Sequence, residues 1–277
     1  MTPNDKHQRL KEIIAGRGSM LVAFSGGVDS SLLADVAREV LGDKTHCVFL
    51  DSPVVPRAAV EDAKKIAADL ALTLDIISVP QLDDEEFCSN PANRCYHCKK
   101  ISSVYLRTRA EELGLACIAD GINVSDLGEH RPGLQASTEE GILHPFIDAE
   151  MTKQDIRTIA RERGLPVWQK PSAACLSSRI PYGDSITREK LGMIEEAEAY
   201  LSDLGISQVR VRLHGTVARI EVHNDERENL LAHQAAVIQE FKRIGFTYVT
   251  LDLEGYRSGS MDEVLIPADD RDPDRRR

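Results

Sequence analysis

The sequence predicts an α/β protein in two parts: a parallel sheet with helices on both faces, then a smaller α/β domain. Three observations carry that prediction. Short apolar runs alternate with segments of helical period through the first part of the chain. A glycine-rich turn, Ser25-Gly26-Gly27-Val28-Asp29-Ser30-Ser31, joins the first apolar run to the first periodic segment. Near residue 170 the composition changes, and Lys170 to Gly183 has no period and is bracketed by prolines. The predicted domains are therefore 1–170 and 171–266, with 267–277 too polar to pack and expected to be disordered.

Taken in order, Asp5 to Gly16 reads as a short amphipathic helix with Leu10, Ile13 and Ile14 on one side. Residues 19–25 form the first strand. Leu33, Val36, Ala37 and Val40 place a helix over 31–41, capped by Ser30 or Ser31. His46 to Asp51 is the second strand, Pro56 to Leu70 an Ala-rich helix opened by its proline, and Leu72 to Val79 the third strand. Asp83-Asp84-Glu85-Glu86 is an acidic turn or helix start. A helix follows Asn93–Lys100 and runs to about Leu113. Leu115 to Asp120 is another strand, and the loop Gly121–Asp126 at its end continues through Glu129–Gly133. Thr152 caps a helix that Gly164 ends, with Asp155 completing a capping box. Past the boundary come a helix over Thr187–Leu204, strands over Gln208–Leu213 and Thr216–Val222, one long helix over Glu226–Ile244, and a closing strand over Tyr248–Leu253.

The 277 residues suffice for one large domain or two modest ones. At 42% hydrophobic and 29% charged, the composition is that of a soluble globular protein. No apolar run reaches the length of a membrane span, and Met1–Lys6 lacks the apolar core of a signal peptide, so a cytoplasmic location is expected. A net charge of −11 speaks against a nucleic-acid partner and for a small-molecule substrate. Six cysteines in a reducing compartment are not expected to form a disulfide frame. Cys47 and Cys117 lie in strand-like runs and read as core packing.

The Ser25–Ser31 turn suits an anion. Its glycines relax the backbone, and the helix start beyond it offers free N–H groups and a partial positive charge. No Gly-Lys-Ser/Thr follows, so it is not a Walker A loop. In open parallel sheets the ligand sits beyond the carboxyl ends of the strands, which brings Asp51, Asp120, Asn123 and Asp126 toward the same edge. For Asp51 the competing reading is an acidic residue that merely ends a strand. Cys95-x-x-Cys98 admits a redox dithiol, half a zinc site, part of an iron–sulfur site or two unrelated cysteines, and no second CxxC exists to complete a zinc site. Cys175 is the one cysteine in another unusual loop. Three thiolates would leave one iron of a 4Fe–4S cluster open to sulfide or substrate. Lys170 and Arg179 flank Cys175, and a nearby cation raises the thiolate fraction; a buried loop cysteine is the alternative. Arg210 and Arg212, on one strand face, form a candidate phosphate fork or an ion-paired surface. Glu195, Glu198 and Glu221 are candidate partners among which the sequence does not choose. Lys99 and Lys100 follow the CxxC at a helix start, where the dipole does not favour cations, and can reach toward nucleotide phosphates.

SGGVDSS resembles the PP-loop of the ATP pyrophosphatases, whose pattern is SGGxDS. That resemblance implies an adenine nucleotide alpha-hydrolase-like fold, attack at the α-phosphate of ATP with Mg2+, and departure of pyrophosphate. With RCYHCK, the DGIN loop, HRPG, KPSAACLSSRIPYG, RVRLHG, ARIE and LDLEGYRSGSMDE, the chain from Ser25 to about Leu265 resembles the PP-loop sulfur transferases of the LarE family. These serve nickel-pincer cofactor biosynthesis. The resemblance implies adenylation of pyridinium-3,5-biscarboxylic acid mononucleotide and conversion of its carboxylates to thiocarboxylates. It implies a nucleotide site at Ser25, Gly26, Gly27, Asp29 and Ser30, to which position alone adds Asp51, Lys99 and Asn123. Cys175 is the implied reactive sulfur, with Ser178 and Arg179 the polar pair near it and Glu198 a candidate acid. Arg210 and Arg212 are implied to hold the substrate's phosphate, and Arg257 matches the arginine of the GYRSGS segment. Cys95 and Cys98 put the chain with a branch that holds a 4Fe–4S cluster through three thiolates, here Cys95, Cys98 and Cys175, with the sulfur carried on the open iron. In the other branch the cysteine itself is consumed and leaves dehydroalanine. A homo-oligomer is implied and no sulfur donor is named. The competing readings are a PP-loop tRNA thiolase, an amidotransferase-type ATP pyrophosphatase such as NAD synthetase, and a non-enzymatic iron–sulfur sensor.

Overall fold

The computed structural model describes residues 1–128, 132–171, 174–257 and 259–265. The chain runs α1 (Pro3–Ala15), β1 (Met20–Ala23), α2 (Val28–Leu41), β2 (Thr45–Asp51), α3 (Arg57–Asp69), β3 (Leu74–Ser78), α4 (Glu85–Cys88), α5 (Arg94–Glu112), β4 (Ile118–Ala119), α6 (Pro132–Glu139), α7 (Pro145–Asp148) and α8 (Lys153–Glu162). It continues with α9 (Arg188–Asp203), β5 (Val209–His214), β6 (Val217–Val222), α10 (Arg227–Ala232), α11 (Gln234–Ile244) and β7 (Tyr248–Leu251). Among the described residues no helix is long and apolar enough to cross a membrane.

The first sheet is four-stranded, in the order β3-β2-β1-β4, and every pairing in it is parallel. Alternation along β1 covers both faces. Met20 and Val22 pack with Leu10, Ile14, Leu33, Ile156 and Ile159 from α1, α2 and α8. Leu21 points the other way and packs with Leu106 and Ala110 of α5. β2 repeats the pattern, with Cys47 and Phe49 in the first core and Val48 in the second. The α/β class with a parallel sheet is the observed one.

The second sheet is three-stranded, β5-β6-β7. β5 and β6 form an antiparallel hairpin through Gly215, whose φ of +59° is what a tight two-residue turn asks of its first position. β7 joins β6 in parallel.

The chain divides into two compact units, Met1–Gln81 with Asn93–Ala173, and Leu82–Ala92 with the chain from Ala174 onward. The excursion of Leu82–Ala92 into the second unit was not legible in composition. Buried Asn90 holds it there: its Nδ2 donates to the carbonyls of Ile180 (3.2 Å), Pro181 (2.7 Å) and Asp184 (3.1 Å). The Ile186 amide in turn donates to Cys88 O at 2.8 Å.

Three local expectations change. The long helix over Glu226–Ile244 is two helices that break at His233, where ψ is 12° and the ring nitrogen Nδ1 bonds Asn229 O at 2.9 Å. No glycine or proline marks that break, so hydrophobic spacing runs through it. The CxxC lies inside α5 rather than before it. Pro132 and Gly133 open a helix rather than extend a loop. Glu129–Arg131, Ser172–Ala173, Ser258 and the expected disordered tail lie outside the described residues.

Candidate active site

The turn from β1 to α2 is built for a close anion. Gly26 has φ of +67°, and a Cβ on it would stand 3.1 Å from Ala63 Cα in α3. Backbone conformation and space both exclude a side chain there. The expected serine cap is not observed: Gly27 is the N-cap of α2 and makes no side-chain cap bond. Ser30 sits in the first turn and ties the loop together. Its Oγ accepts from Ser25 N at 3.1 Å, shares a hydrogen bond with Ser25 Oγ at 3.0 Å, and donates to Gly27 O at 3.3 Å. The first-turn N–H groups of α2 keep no intrahelical partner, and the helix dipole points its positive end the same way.

The loop after β4 forms a second wall. A Cβ on Gly121 would stand 3.0 Å from Asp29 Cβ and from Ser30 N, so only glycine lets the two segments touch. Asp120, just before it, is buried and bonds His144 Nδ1 at 2.7 Å, Lys99 Nζ at 3.2 Å and Ile122 N at 3.2 Å. Burial pushes the Asp120 carboxyl up, but Lys99 and His144 outweigh it and hold it below the ordinary range. Lys99 is thus ion-paired at the sheet edge. Asn123 is also buried, and its Oδ1 accepts from Ser125 N at 3.0 Å, which shapes the loop. Asp51 ends β2 in an ion pair with Arg57 at 2.6 Å.

Lys153, at the start of α8, is ion-paired with Asp29. Asp29 Oδ1 is buried with no hydrogen-bond partner among the described residues. Burial raises the Asp29 carboxyl above its ordinary range, and the Lys153 charge only partly offsets this. Lys170 donates to Gly26 O at 3.2 Å and Asp62 at 2.9 Å. Its cation is engaged by the phosphate loop.

In the second unit, Cys175 precedes a single 3-10 turn over Leu176–Arg179. Its carbonyl accepts from Ser178 N (3.1 Å), Ser178 Oγ (2.9 Å) and Arg179 Nη1 (2.8 Å). Arg179 is buried and forked on Glu198, with Nε–Oε1 at 3.0 Å and Nη2–Oε2 at 2.9 Å. Glu198 Oε1 also accepts from Val211 N at 2.9 Å, which anchors the pair to β5. The Arg179 charge is matched by Glu198, and its Nη1 holds the main chain at Ala174 and Cys175. Cys175, Ser178, Arg179 and Glu198 are therefore one assembly.

The two strand arginines differ. Arg212 is buried and engaged by Glu221 Oε2 (2.6 Å), Ser260 Oγ (3.0 Å) and Ser178 O (3.0 Å). Arg210 lies over the Tyr256 ring, 5.4 Å from its centroid, with no carboxylate ion pair among the described residues. Burial, then the Arg179 charge, lowers its pKa. Its Nη1 donates to Val209 O at 2.7 Å. Arg257, next to Tyr256, pairs with Glu254 at 2.8 Å and Glu263 at 3.3 Å. Among the candidate glutamates the structure assigns Glu198 to Arg179 and Glu221 to Arg212.

A family profile described as NAD synthase matches residues 5–104, the part that carries the phosphate loop. A Lactiplantibacillus plantarum protein named pyridinium-3,5-bisthiocarboxylic acid mononucleotide synthase is 36% identical over 248 residues, 89% of this chain and 90% of its own length. The chain belongs to the LarE family. An uncharacterized Synechocystis protein is 39% identical over 262 residues, covering 94% of this chain and 98% of its own. A GMP synthase of Bartonella bacilliformis reaches 27% over 217 residues and covers only 40% of that enzyme.

For a LarE-family chain the CxxC is the feature that needs a partner group. Cys95 and Cys98 fall on one face of α5, three residues apart. The Gln81 amide nitrogen stands 2.9 Å from Cys98 Sγ. Two thiols on one helical face, one with an N–H donor aimed at its sulfur, fit a soft thiolate-bound metal group. Among the described residues no three His, Cys, Asp or Glu side chains form a metal-holding group, and none of the six cysteines is in a disulfide.

Sequence reasoning missed Lys153, Gly121 as a wall, His144 and Tyr256. Lys153 lies 124 residues from Asp29, and no local spacing signals such a pair. The glycine of DGIN was visible, but its reason is spatial.

Proposed function

We propose that this chain is an ATP-dependent, AMP-forming sulfur transferase that acts on pyridinium-3,5-biscarboxylic acid mononucleotide, working in the cytoplasm as a homo-oligomer. The observation that carries the reading is the likeness to a named synthase over 89% of the chain, on a fold whose first unit builds an anion cradle. In the first step a substrate carboxylate oxygen attacks the α-phosphorus of Mg2+-bound ATP and the bond to pyrophosphate breaks. The Gly26–Ser30 turn and the α2 N-terminus would hold the departing pyrophosphate, and Lys153 and Lys170 stand on the same turn. A sulfur nucleophile then attacks the acyl carbon, and AMP leaves with the bonding pair of the C–O bond. Arg210, stacked on Tyr256, supports a role in holding the substrate's own phosphate.

Cys95, Cys98 and Cys175 would hold a 4Fe–4S cluster, and such a group, when bound, supplies an open iron that can carry sulfide. A second reading has its own support, since Arg179 and Ser178 fix the Cys175 main chain, as a reacting side chain requires. In it the Cys175 thiolate forms a thioester, a base removes its Cα proton, the Cβ–S bond breaks, and a thiocarboxylate leaves dehydroalanine behind.

The test supplies ATP and the biscarboxylate mononucleotide and follows AMP, pyrophosphate and thiocarboxylate. Substrate-dependent AMP with thiocarboxylate is the expected result, and AMP formation indifferent to the substrate would remove the proposal. Mass spectrometry of Cys175 after turnover separates the two routes. An unchanged residue with several turnovers on added sulfide supports the cluster, and conversion of Cys175 to dehydroalanine, a net loss of hydrogen sulfide, supports the sacrificial route.

A further inference from the structure

Gln81 is 3% exposed and starts a short 3-10 turn just after β3. Its Nε2 stands 2.9 Å from Cys98 Sγ and 3.4 Å from Ser102 Oγ, one turn further along α5. Its Oε1 is buried with no hydrogen-bond partner among the described residues. One end of this amide is therefore aimed at a sulfur and the other end is unsatisfied. A buried carbonyl left without a donor costs about 1–3 kcal/mol. Methionine has nearly the same volume, carries no such oxygen and packs readily in irregular cores. Packing alone gives no reason for glutamine here, whereas an N–H donor at sulfur does.

We propose that Gln81 is a positioning residue for Cys98: its N–H···S hydrogen bond orients the sulfur and tunes it as a thiolate ligand for the metal group held through Cys95 and Cys98. This rests on the metal-binding reading of the CxxC. A hydrogen bond donated to a ligating sulfur withdraws electron density from it, and such bonds help set both the affinity and the potential of thiolate-bound metals. Gln81 reaches the sulfur from the turn after β3, so the sulfur is fixed by two elements rather than by its own helix alone.

The reduced, cluster-free chain is titrated with cadmium ion, and binding is read from the thiolate-to-metal charge-transfer absorption. Cys95→Ala and Cys98→Ala define the part of the signal that belongs to the pair. Gln81→Met is expected to melt no lower than the parent, because the unsatisfied oxygen is gone. It is expected to bind cadmium about tenfold more weakly, with the band moved to longer wavelength. Gln81→Leu, which also lacks the donor and adds no ligand, should reproduce the weakening. Either variant binding as tightly as the parent with an unshifted band overturns the proposal, as does a parent signal that survives both cysteine substitutions. A lower melting point without a spectral change marks a packing role and also overturns it. Anaerobic reconstitution with iron and sulfide then separates the two claims. If the parent takes up no cluster while the cadmium effect of Gln81→Met stands, the cluster reading fails and the role of Gln81 does not. If a cluster forms, chelator should strip iron from Gln81→Met several-fold faster than from the parent.

Discussion

The phosphate loop and the Cys175 loop are both short turns that end in a helical turn, yet they are held by opposite means. The first is shaped by what is absent. Gly26 and Gly121 lack the side chains that would push Ala63 and Asp29 away, and the donors left for a ligand are main-chain N–H groups. The second is shaped by what is present. Arg179 and Ser178 bond the Cys175 carbonyl, and Glu198 holds Arg179 in place, in a half-buried set. A loop of the first kind fails when an atom is added, and one of the second kind fails when an atom is taken away.

The largest break is expected at Gly26→Ala. A left-handed φ and backbone 3.1 Å from the new Cβ must displace the turn. Substrate-dependent pyrophosphate release should fall by about 100-fold or more, since small misplacements at a reacting centre carry that cost. Glu198→Gln tests the other loop. It leaves the Arg179 guanidinium buried without its carboxylate, at a cost of about 3 kcal/mol in denaturant unfolding. Thiocarboxylate formation should drop more than AMP formation, because the nucleotide turn does not depend on this pair.

Smaller effects come from two buried carboxylates with opposite shifts. The Asp120 carboxyl is held low, so the stability it contributes is present above its unfolded value and is lost as pH falls through the folded one. The advantage of the parent over Asp120→Asn should be greatest at neutral pH, hold down to about pH 4 and fade below that, as denaturant unfolding across pH would report. Asp29 is raised by burial, so its ionised form weakens the fold as pH rises past the ordinary Asp range. Asp29→Asn should therefore be no less stable at pH 7 while binding Mg2+-ATP less well, as thermal melts with and without nucleotide would report. The smallest effect is Gly27→Ala. There φ is −85° and the nearest atom to a new Cβ is Ser25 Oγ at 3.5 Å, so pyrophosphate release should stay within about threefold of the parent.

Much of what depended on neighbours within a few residues could be read from the chain. The Thr152–Asp155 capping box is observed, as are the alternation of β1 with α2 and the α9 helix. So is the pairing of Arg210 and Arg212 on one strand, because strand period alone puts them on one face. The division of labour between those arginines was not readable, since Glu221, Ser260 and Tyr256 reach them from other strands and loops. Nor was the serine cap correctly placed. Gly27 took that position because Ser30 is needed inside the turn to bond Ser25.

The amino-acid sequence by itself determined most of the elements, the parallel sheet, the anion-binding turn and the family, because each follows from local period, turn chemistry or a contiguous motif. Tertiary structure alone decided that Lys153 meets Asp29, that Asn90 draws Leu82–Ala92 into the second unit, and that Gln81 stands on Cys98. Those contacts join residues far apart in the chain or on different elements. Their energy comes from burying polar groups against specific partners, and spacing along the chain does not record which partners a fold will bring together.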